Sequence, residues 1–422
     1  WYGANFVLEA EMRAGNATIP TNSDFTSGRL LGSRDLTYNP TATSGLWSDG
    51  YYVISAVNNV LDNLAGKESS TVSAQDLNNL KAECLFLRAL SHFDMVRLFA
   101  TSYAKNKDAD GIPIILHTDK TASEMPKRNT VAEVYDQVIK DLLEAESVID
   151  PTYKRTGIVD SKAVVTLPAI QALLSRVYLY TEQWQKAADY ATLVINNTNY
   201  RMWNTTELPN VWGIDIPSSG EIVFEVYAIK SNEFDAYWEG PSHMTNPLGY
   251  GDCAAHSDLT SLYEAADVRG KLFITDAENK SGSLWTTKYK GKGFGDAKST
   301  PDVNNVIVLR LSEMYLNRAE AIGVHNAVIP GVTAIADLNT IRTNRNASIL
   351  ASAGSDAVYN ERRLELAFEG HLWFDYIRTN RPSTRTDQGG KYALAVDDNR
   401  WLMPIPQRER DVNSNLTQNP GY

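Results

Sequence analysis

The chain has 422 residues, of which 43% are hydrophobic and 22% are charged, proportions that are ordinary for a folded globular protein. Its net charge of −11 argues against a nucleic-acid partner, because phosphate binding requires clustered Lys and Arg. No apolar stretch approaches the roughly 18 residues of a membrane-spanning helix.

Helical periodicity dominates the first half of the chain. The spacing of apolar residues predicts helices over 46–65, 73–100 and 130–149. Two of these predicted helices open with a capping box, Ser73 with Asp76 and Thr130 with Glu133. In the first helix, Trp47 falls on the apolar face and should be buried.

Two shorter helices follow in "LPAIQALLSRVYLYTEQWQKAADYATLVINN" and are separated by a tight turn. Their large and small residues alternate as in a tetratricopeptide unit, which cannot bury its own face alone. We therefore expect the earlier helices to stack on this pair. A later segment, 306–345, predicts another helix pair that begins with "VIVLRLSEMYLNRAEAIG".

The intervening residues, 201–305, are turn-rich and aromatic, with short strand-like runs such as "EIVFEVYAI" and "LWTTKYKG". Because a long irregular insertion in a compact domain is usually functional, we interpret it as a variable subdomain. We therefore predict a mainly α single domain over 1–422. Its helical frame is 46–200 and 306–380, and its C-terminal segment is 381–422.

Four segments together resemble the SusD/RagB family of outer-membrane nutrient-binding proteins. They are "AECLFLRALSHFDMVRLFA", "VIVLRLSEMYLNRAEA", "ERRLELAFEGHLWFDYIR" and "LMPIPQRERDVNSNLTQNPGY", and they occur in the family's order. The resemblance extends from about Trp47 to Tyr422.

The resemblance implies tetratricopeptide-like helix pairs, an α-α superhelix that supports the loop-rich insertion. It also implies a surface lipoprotein of a Bacteroidetes-type bacterium, which binds a nutrient glycan and passes it to a SusC-type TonB-dependent transporter. The chain starts at Trp1 without an initiator Met, so we expect the family's lipidated cysteine to lie upstream of this chain.

The segment 361–378 contains the residue types of a catalytic site. Glu361, Glu365 and Glu369 are four residues apart, so we predict one helix over this segment with the three glutamates on one side. We predict that they pair with the cations of the same stretch, Arg362, Arg363 and Arg378, as part of the frame. His371 and Asp375 have the spacing of a metal pair, but further ligands and an HExxH motif are missing.

We therefore expect no metal, no cofactor and no catalysis. We expect Cys84 and Cys253 to be two buried thiols; a disulfide between them is the alternative.

The loop "NEFDAYWEGPSHMTNPLGYGD" is the first candidate for the glycan site. Flat aromatic rings meet the apolar faces of sugars, and polar side chains meet their hydroxyl groups. We predict a platform of Tyr237, Trp238 and Tyr250, with Asn246 and Asp252 beside it. Packing of the insertion onto the helices explains these aromatics equally well.

The segment "SRDLTYNPTATSG" is the second candidate, through Arg34, Tyr38 and Asn39. In starch-binding relatives a loop ahead of the first repeat helix contributes to the site, and this segment occupies that region. Trp212 in "LPNVWGID" is a third candidate.

Three other functions remain open from the sequence. Some members of the family carry peptides, and tetratricopeptide arrays often act as protein-interaction scaffolds with little ligand binding. A hydrolase would need two carboxylates about 5–10 Å apart, and 51 acidic residues neither identify nor exclude such a pair.

Overall fold

A computed structural model describes residues 2–20, 30–39, 44–118, 124–155, 161–212, 220–228, 240–276, 282–291 and 303–422. The fold is mainly α-helical, as predicted. The helices are α1 (Ala4–Ala14), α2 (Leu31–Asp35), α3 (Ser44–Leu61), α4 (Ala74–Phe99), α5 (Tyr103–Asn106), α6 (Val131–Val148), α7 (Leu167–Tyr180), α8 (Trp184–Ile195), α9 (Pro241–Met244), α10 (Ser257–Thr260), α11 (Leu311–Gly323), α12 (Ala334–Asn344), α13 (Ser355–Glu365), α14 (Leu372–Arg378), α15 (Asp387–Gly390) and α16 (Gln407–Val412). The strands are β1 (Ala17–Thr18), β2 (Ile222–Val226), β3 (Ala254–Ala255), β4 (Phe273–Ile274), β5 (Trp285–Thr286) and β6 (Val306–Arg310).

Both predicted capping boxes are present at the starts of α4 and α6. The hydroxyl oxygens of Ser73 and Thr130 accept the N–H groups of Asp76 and Glu133, at 3.1 and 3.2 Å. The two carboxylates in turn accept the N–H groups of Ser73 and Thr130, each at 2.8 Å. Such a cap contributes about 1 kcal/mol and sets the residue at which the helix begins.

The long helices pack against each other in chain order, from α3 on α4 and α4 on α6 to α8 on α11 and α11 on α12. In the predicted hairpin of α7 and α8, the hydroxyl of Ser175 donates to the carbonyl of Ala187 at 2.9 Å. The rings of Tyr178 and Tyr190 stack with centroids 5.5 Å apart. Small residues at one contact and large rings at the other confirm the tetratricopeptide-like pairing.

The predicted helix at 306 begins five residues later than expected. Residues Val306–Arg310 form β6, which pairs antiparallel with β2, and α11 begins at Leu311. A short apolar run fits a strand or a helix equally well, and the partner strand lies in a distant part of the chain. The expected packing of α11 on α12 is confirmed.

The stretch 361–378 is two helices, which corrects the prediction of one. Between α13 and α14, Phe368 and Gly370 adopt positive φ angles of 63° and 77°, a conformation that ends a helix. The carboxylate of Glu11 in α1 accepts the N–H of Gly370 at 2.7 Å. A contact from the far end of the chain therefore fixes the break.

The glutamates of this stretch pair with cations from other segments, so the predicted partners were wrong. The observed pairs are Glu361 with Arg269 and Arg342, Glu365 with Arg269, Arg310 and Arg345, and Glu369 with Arg310 and Lys288. Arg362 and Arg378 bond to Asp375 instead, and Arg363 bonds to Asn16. The helix ends before Glu369, so the four-residue spacing does not determine where that side chain lies.

The described strands form three two-stranded antiparallel ladders, β1 with β3, β2 with β6, and β4 with β5. The main apolar core runs from α1 through the stacked helices to Leu416. It includes Trp47, which was expected to be buried, and Trp373. Cys84 and Cys253 are buried free thiols. In the described ranges, no helix is both long enough and apolar enough to cross a bilayer.

Candidate functional site

The first predicted binding segment is only partly described. Tyr237 and Trp238 lie outside the described residues. Tyr250 is half-buried, and its ring meets the ring of His243 edge-on with centroids 4.6 Å apart. The ring of Tyr250 is therefore held in place by α9 while part of it stays accessible.

Asn246 and Asp252 are more deeply buried than a surface contact requires. Their exposed fractions are 3% and 1%. The side-chain oxygen of Asn246 accepts the N–H of Leu248 at 2.9 Å, so this amide shapes the turn that carries Tyr250. These two polar residues lie beneath the loop surface, and the sequence offered no means of separating that position from an exposed one.

The second predicted segment is described as far as Asn39, which is exposed. The guanidinium of Arg34 donates to the carboxylate of Asp35 at 2.5 Å. This hydrogen bond lowers the pKa of Asp35 and raises that of Arg34. The half-buried ring of Tyr38 lies 5.1 Å from the guanidinium carbon of Arg13, a cation–π contact with the end of α1.

The C-terminal end of α1 connects the two predicted segments. Tyr38 contacts Arg13, and α2, which precedes Tyr38, packs along α1. On the other segment, α9 also packs on α1, and β3, which follows Asp252, pairs with β1 directly after α1. Segments about two hundred residues apart in sequence therefore meet the same helix.

Three hydrogen-bond donor groups at this point, on two residues, lack an acceptor among the described residues. They are the hydroxyl of Tyr38 and the Nε and Nη1 groups of Arg13, whose exposed fraction is 1%. Burial raises the pKa of Tyr38, so the hydroxyl keeps its proton at neutral pH. An unpaired buried donor costs about 1–3 kcal/mol, which an acceptor on a bound molecule or a water can recover.

The structure adds residues that the sequence did not indicate. Arg385 donates to the carbonyl of Arg13 at 3.1 Å, and its charge is paired with Asp387 at 2.5 Å. Gly15 has a φ of 85°, and a Cβ there would lie 2.4 Å from Cγ of Arg385. A side chain at position 15 would therefore displace Arg385. No sequence pattern indicates this contact, because it joins residues near opposite ends of the chain.

Trp212 lies apart from the residues around α1. Its ring meets Trp203 edge-on at 5.6 Å and has the ammonium of Lys288 4.8 Å from its centroid. Burial lowers the pKa of Lys288, although Glu369 opposes the shift. The hollow beside Trp212 has a volume of about 20 Å³, room for about one water and not for a sugar ring.

The acidic stretch 361–378 is electrostatically compensated. Burial opposes ionisation of Glu365, but Arg345 and Arg310 hold its pKa well below the usual range. Burial lowers the pKa of His371, which neighbouring guanidinium groups depress further. Within the described part of the chain, no three His, Cys, Asp or Glu residues are grouped in a way that could hold a metal ion.

Comparison with known proteins gives two family matches and clear structural relatives. Residues 12–179 match a family described as "Starch-binding associating with outer membrane", and residues 275–422 match the SusD family. SusD-like protein P2 from Formosa agariphila is 25% identical over 100% of this chain and 89% of that protein. A SusD superfamily crystal structure from Bacteroides thetaiotaomicron has a TM-score of 0.86 and 29% identity, covering 100% of this chain and 95% of that one. A laminarin-binding SusD-like protein shares the fold with a TM-score of 0.79 and 22% identity, covering 100% and 95% of the two chains.

Proposed function

Because this chain belongs to the SusD family, we propose that it is a non-catalytic protein that binds a nutrient glycan at the cell surface and delivers it to a SusC-type TonB-dependent transporter. The family's description includes starch binding and association with the outer membrane. We propose the same location for this protein, as a lipoprotein exposed at the cell surface. A laminarin-binding protein with the same fold makes glucans the first ligands to test.

The observation that carries the proposal is the meeting of two aromatic segments at the end of α1. Tyr38 lies over Arg13, and the loop that holds Tyr250 continues into the strand paired with β1. Half-buried rings at this point offer rigid contact area at low entropic cost.

Calorimetric titration with a panel of oligosaccharides tests this function. We expect at least one glucan to bind with a Kd of roughly micromolar or weaker, because an open aromatic surface excludes little water. Trp238→Ala and Tyr38→Ala should each weaken binding about tenfold, the loss expected when one stacked ring, worth about 1.4 kcal/mol, is removed.

Tyr52→Ala is the matched control, since Tyr52 is a tyrosine on α3 with an exposed fraction of 76%. It should leave the affinity unchanged. If no oligosaccharide binds, the glycan function is wrong. If a glycan binds but neither Trp238→Ala nor Tyr38→Ala affects it, the assigned residues are wrong. If the protein binds peptides and no oligosaccharide, its function is that of the peptide-carrying members of the family.

The absence of catalysis is a separate part of the proposal. The acidic stretch that most resembled an active site has its carboxylates paired with buried cations, which leaves none of them positioned as a free acid or base. Incubation with the bound oligosaccharide should therefore release no shorter sugars on chromatography. Release of such products would establish a hydrolase.

The transporter partner follows from the family and needs its own test. Affinity purification of the anchored protein from its native outer membrane should recover a β-barrel protein of the TonB-dependent class. Recovery of that partner together with no measurable glycan affinity would favour the scaffold function instead.

We also propose that the frame (46–200 and 306–380), the subdomain (201–305) and the segment 381–422 act as one domain.

A further inference from the structure

A surface cleft outside the predicted site lies between the end of α14, the start of α5 and residues 396–402. It has a volume of about 60 Å³, room for roughly four or five water molecules, so it can take part of one sugar ring while the rest stays in solvent. The rings of Tyr376 and Trp401 line it, with centroids 6.1 Å apart. Tyr376 is half-buried and Trp401 is buried, so the cleft has a rigid aromatic wall.

Several polar side chains around the cleft make no hydrogen bond to any described residue. The hydroxyl of Tyr376 is one of them, and the others are Thr101, Asn380, Asp397 and Asn399. Together they supply donors and acceptors in one place, a hydroxyl, two amides and a carboxylate. A hollow with an apolar wall and a few convergent polar groups is the usual form of a small-molecule site.

The positive and negative side chains that line the cleft are equal in number, and both cations already contact other parts of the protein. The ammonium of Lys105 donates to the carbonyl of Val396 at 3.1 Å. The guanidinium of Arg381 donates to Ser355 at 2.5 Å and lies 4.0 Å from the ring centroid of Tyr359. Asp397 and Asp398 also line the cleft, so the formal charges of its two cations and two carboxylates cancel. It therefore suits an uncharged ligand better than an anion or a cation.

We propose that this cleft is a second carbohydrate-binding site, which takes one neutral monosaccharide unit of a longer glycan against Tyr376 and Trp401. The hydroxyl groups of the sugar, each both donor and acceptor, bond to the amides of Asn380 and Asn399 and to the carboxylate of Asp397. The inference rests on the proposed function for its ligand class, and it adds a location that is independent of Trp238 and Tyr250.

The test is ¹⁹F NMR of the full chain labelled with 5-fluorotryptophan. Trp401→Phe identifies the Trp401 signal among those of the nine tryptophans. Glucose, galactose, mannose and xylose are then titrated separately to roughly 50 mM, well above the ~1 mM Kd that corresponds to about −4 kcal/mol. We expect at least one of them to shift the Trp401 signal.

Asp397→Ala and Asn399→Ala should weaken that shift about tenfold or abolish it, since both side chains are exposed and their removal leaves the core intact. Asp136→Ala, an exposed carboxylate on α6, is the matched control and should have no effect. Circular dichroism confirms that each variant is folded.

The proposal is overturned if no sugar moves the Trp401 signal, or if the shift survives unchanged in both cleft variants. These results are separable from failure of the main site. If Trp238→Ala weakens oligosaccharide binding but no sugar shifts the Trp401 signal, the proposed function stands and the cleft proposal is wrong. If sugars shift the Trp401 signal but Trp238→Ala does not change oligosaccharide binding, the cleft proposal stands and the assignment of the main site is wrong.

Discussion

At the residue scale, a buried histidine is held in one tautomer by the backbone. The N–H of Ile115 points at Nε2 of His92 at 3.3 Å, so Nε2 must accept. Nδ1 therefore carries the proton and donates to the carbonyl of Arg88 at 3.0 Å. If Nε2 carried the proton, its N–H would point at the N–H of Ile115, and neither donor would have an acceptor. Burial lowers the pKa of His92 to about 4.

This arrangement makes the free energy of unfolding depend on pH. The unfolded histidine titrates near 6.5 and the folded one near 4, so its contribution is complete above about pH 6.5 and is lost as the pH falls towards 4. Between pH 7 and pH 5 the loss is about 2 kcal/mol. In urea unfolding at both pH values, His92→Gln should lower stability at pH 7 and reduce the pH-dependent loss by about that amount. An unchanged difference between the two pH values would contradict the role of His92.

At the scale of secondary-structure elements, a buried ion network joins the insertion to the helical frame. Arg310, the last residue of β6, donates to Glu221 beside β2 at 3.0 Å and to Glu365 at the end of α13 at 2.6 Å. It also bonds to Glu369 in the turn that follows, at 2.6 Å. One guanidinium therefore fixes the position of a strand pair relative to α13.

Removal of that cation should be costly. Arg310→Met removes a cation shared by three buried carboxylates, which keep Arg345 or Lys288 as a remaining partner. A buried pair that loses one member costs about 3–5 kcal/mol, and the remaining partners place the expected loss near the lower end, about 3 kcal/mol. Arg201→Met is the matched control, because Arg201 pairs with Glu207 at the surface and such pairs contribute about 1 kcal/mol or less. Urea unfolding of both variants gives the comparison. Equal losses would show that the buried network is not what holds the elements together.

The elements were predicted well where local chemistry determines them. Ser73 and Thr130 mark helix starts through contacts within three residues, and the structure confirms both. The break at Phe368 was missed because it depends on Glu11 of α1, and the apolar spacing of the stretch continues through it. The strand at 306–310 was missed for the same reason, since its partner β2 lies far away in sequence.

At the scale of the whole molecule, α1 organises the candidate site, and no motif or spacing indicated that role in advance. The family resemblance began near Trp47, whereas α1 lies before that point and contacts α2, α9 and α14. Residue types alone identified Tyr38 and Tyr250 as candidates. They did not reveal that the two segments share one helix, because that proximity depends on contacts between distant parts of the chain.

Burial was the second property that the sequence could not supply. Asn246 and Asp252 were predicted beside a sugar, yet both are buried beneath the loop. A polar side chain in a turn-rich segment serves equally well as a hydrogen-bonding support or as a surface contact, and only the fold separates the two. The unpaired donors of Arg13 are likewise visible only in three dimensions.

The central claim is that a helical frame displays a glycan-binding surface at the end of α1. Hydrogen–deuterium exchange with and without a saturating oligosaccharide that binds in calorimetry tests it most directly. The claim predicts slower amide exchange in 30–39 and 240–253 and unchanged exchange along α4 and α6. Slower exchange confined to α4 and α6, with 30–39 and 240–253 unaffected by the bound sugar, would contradict it.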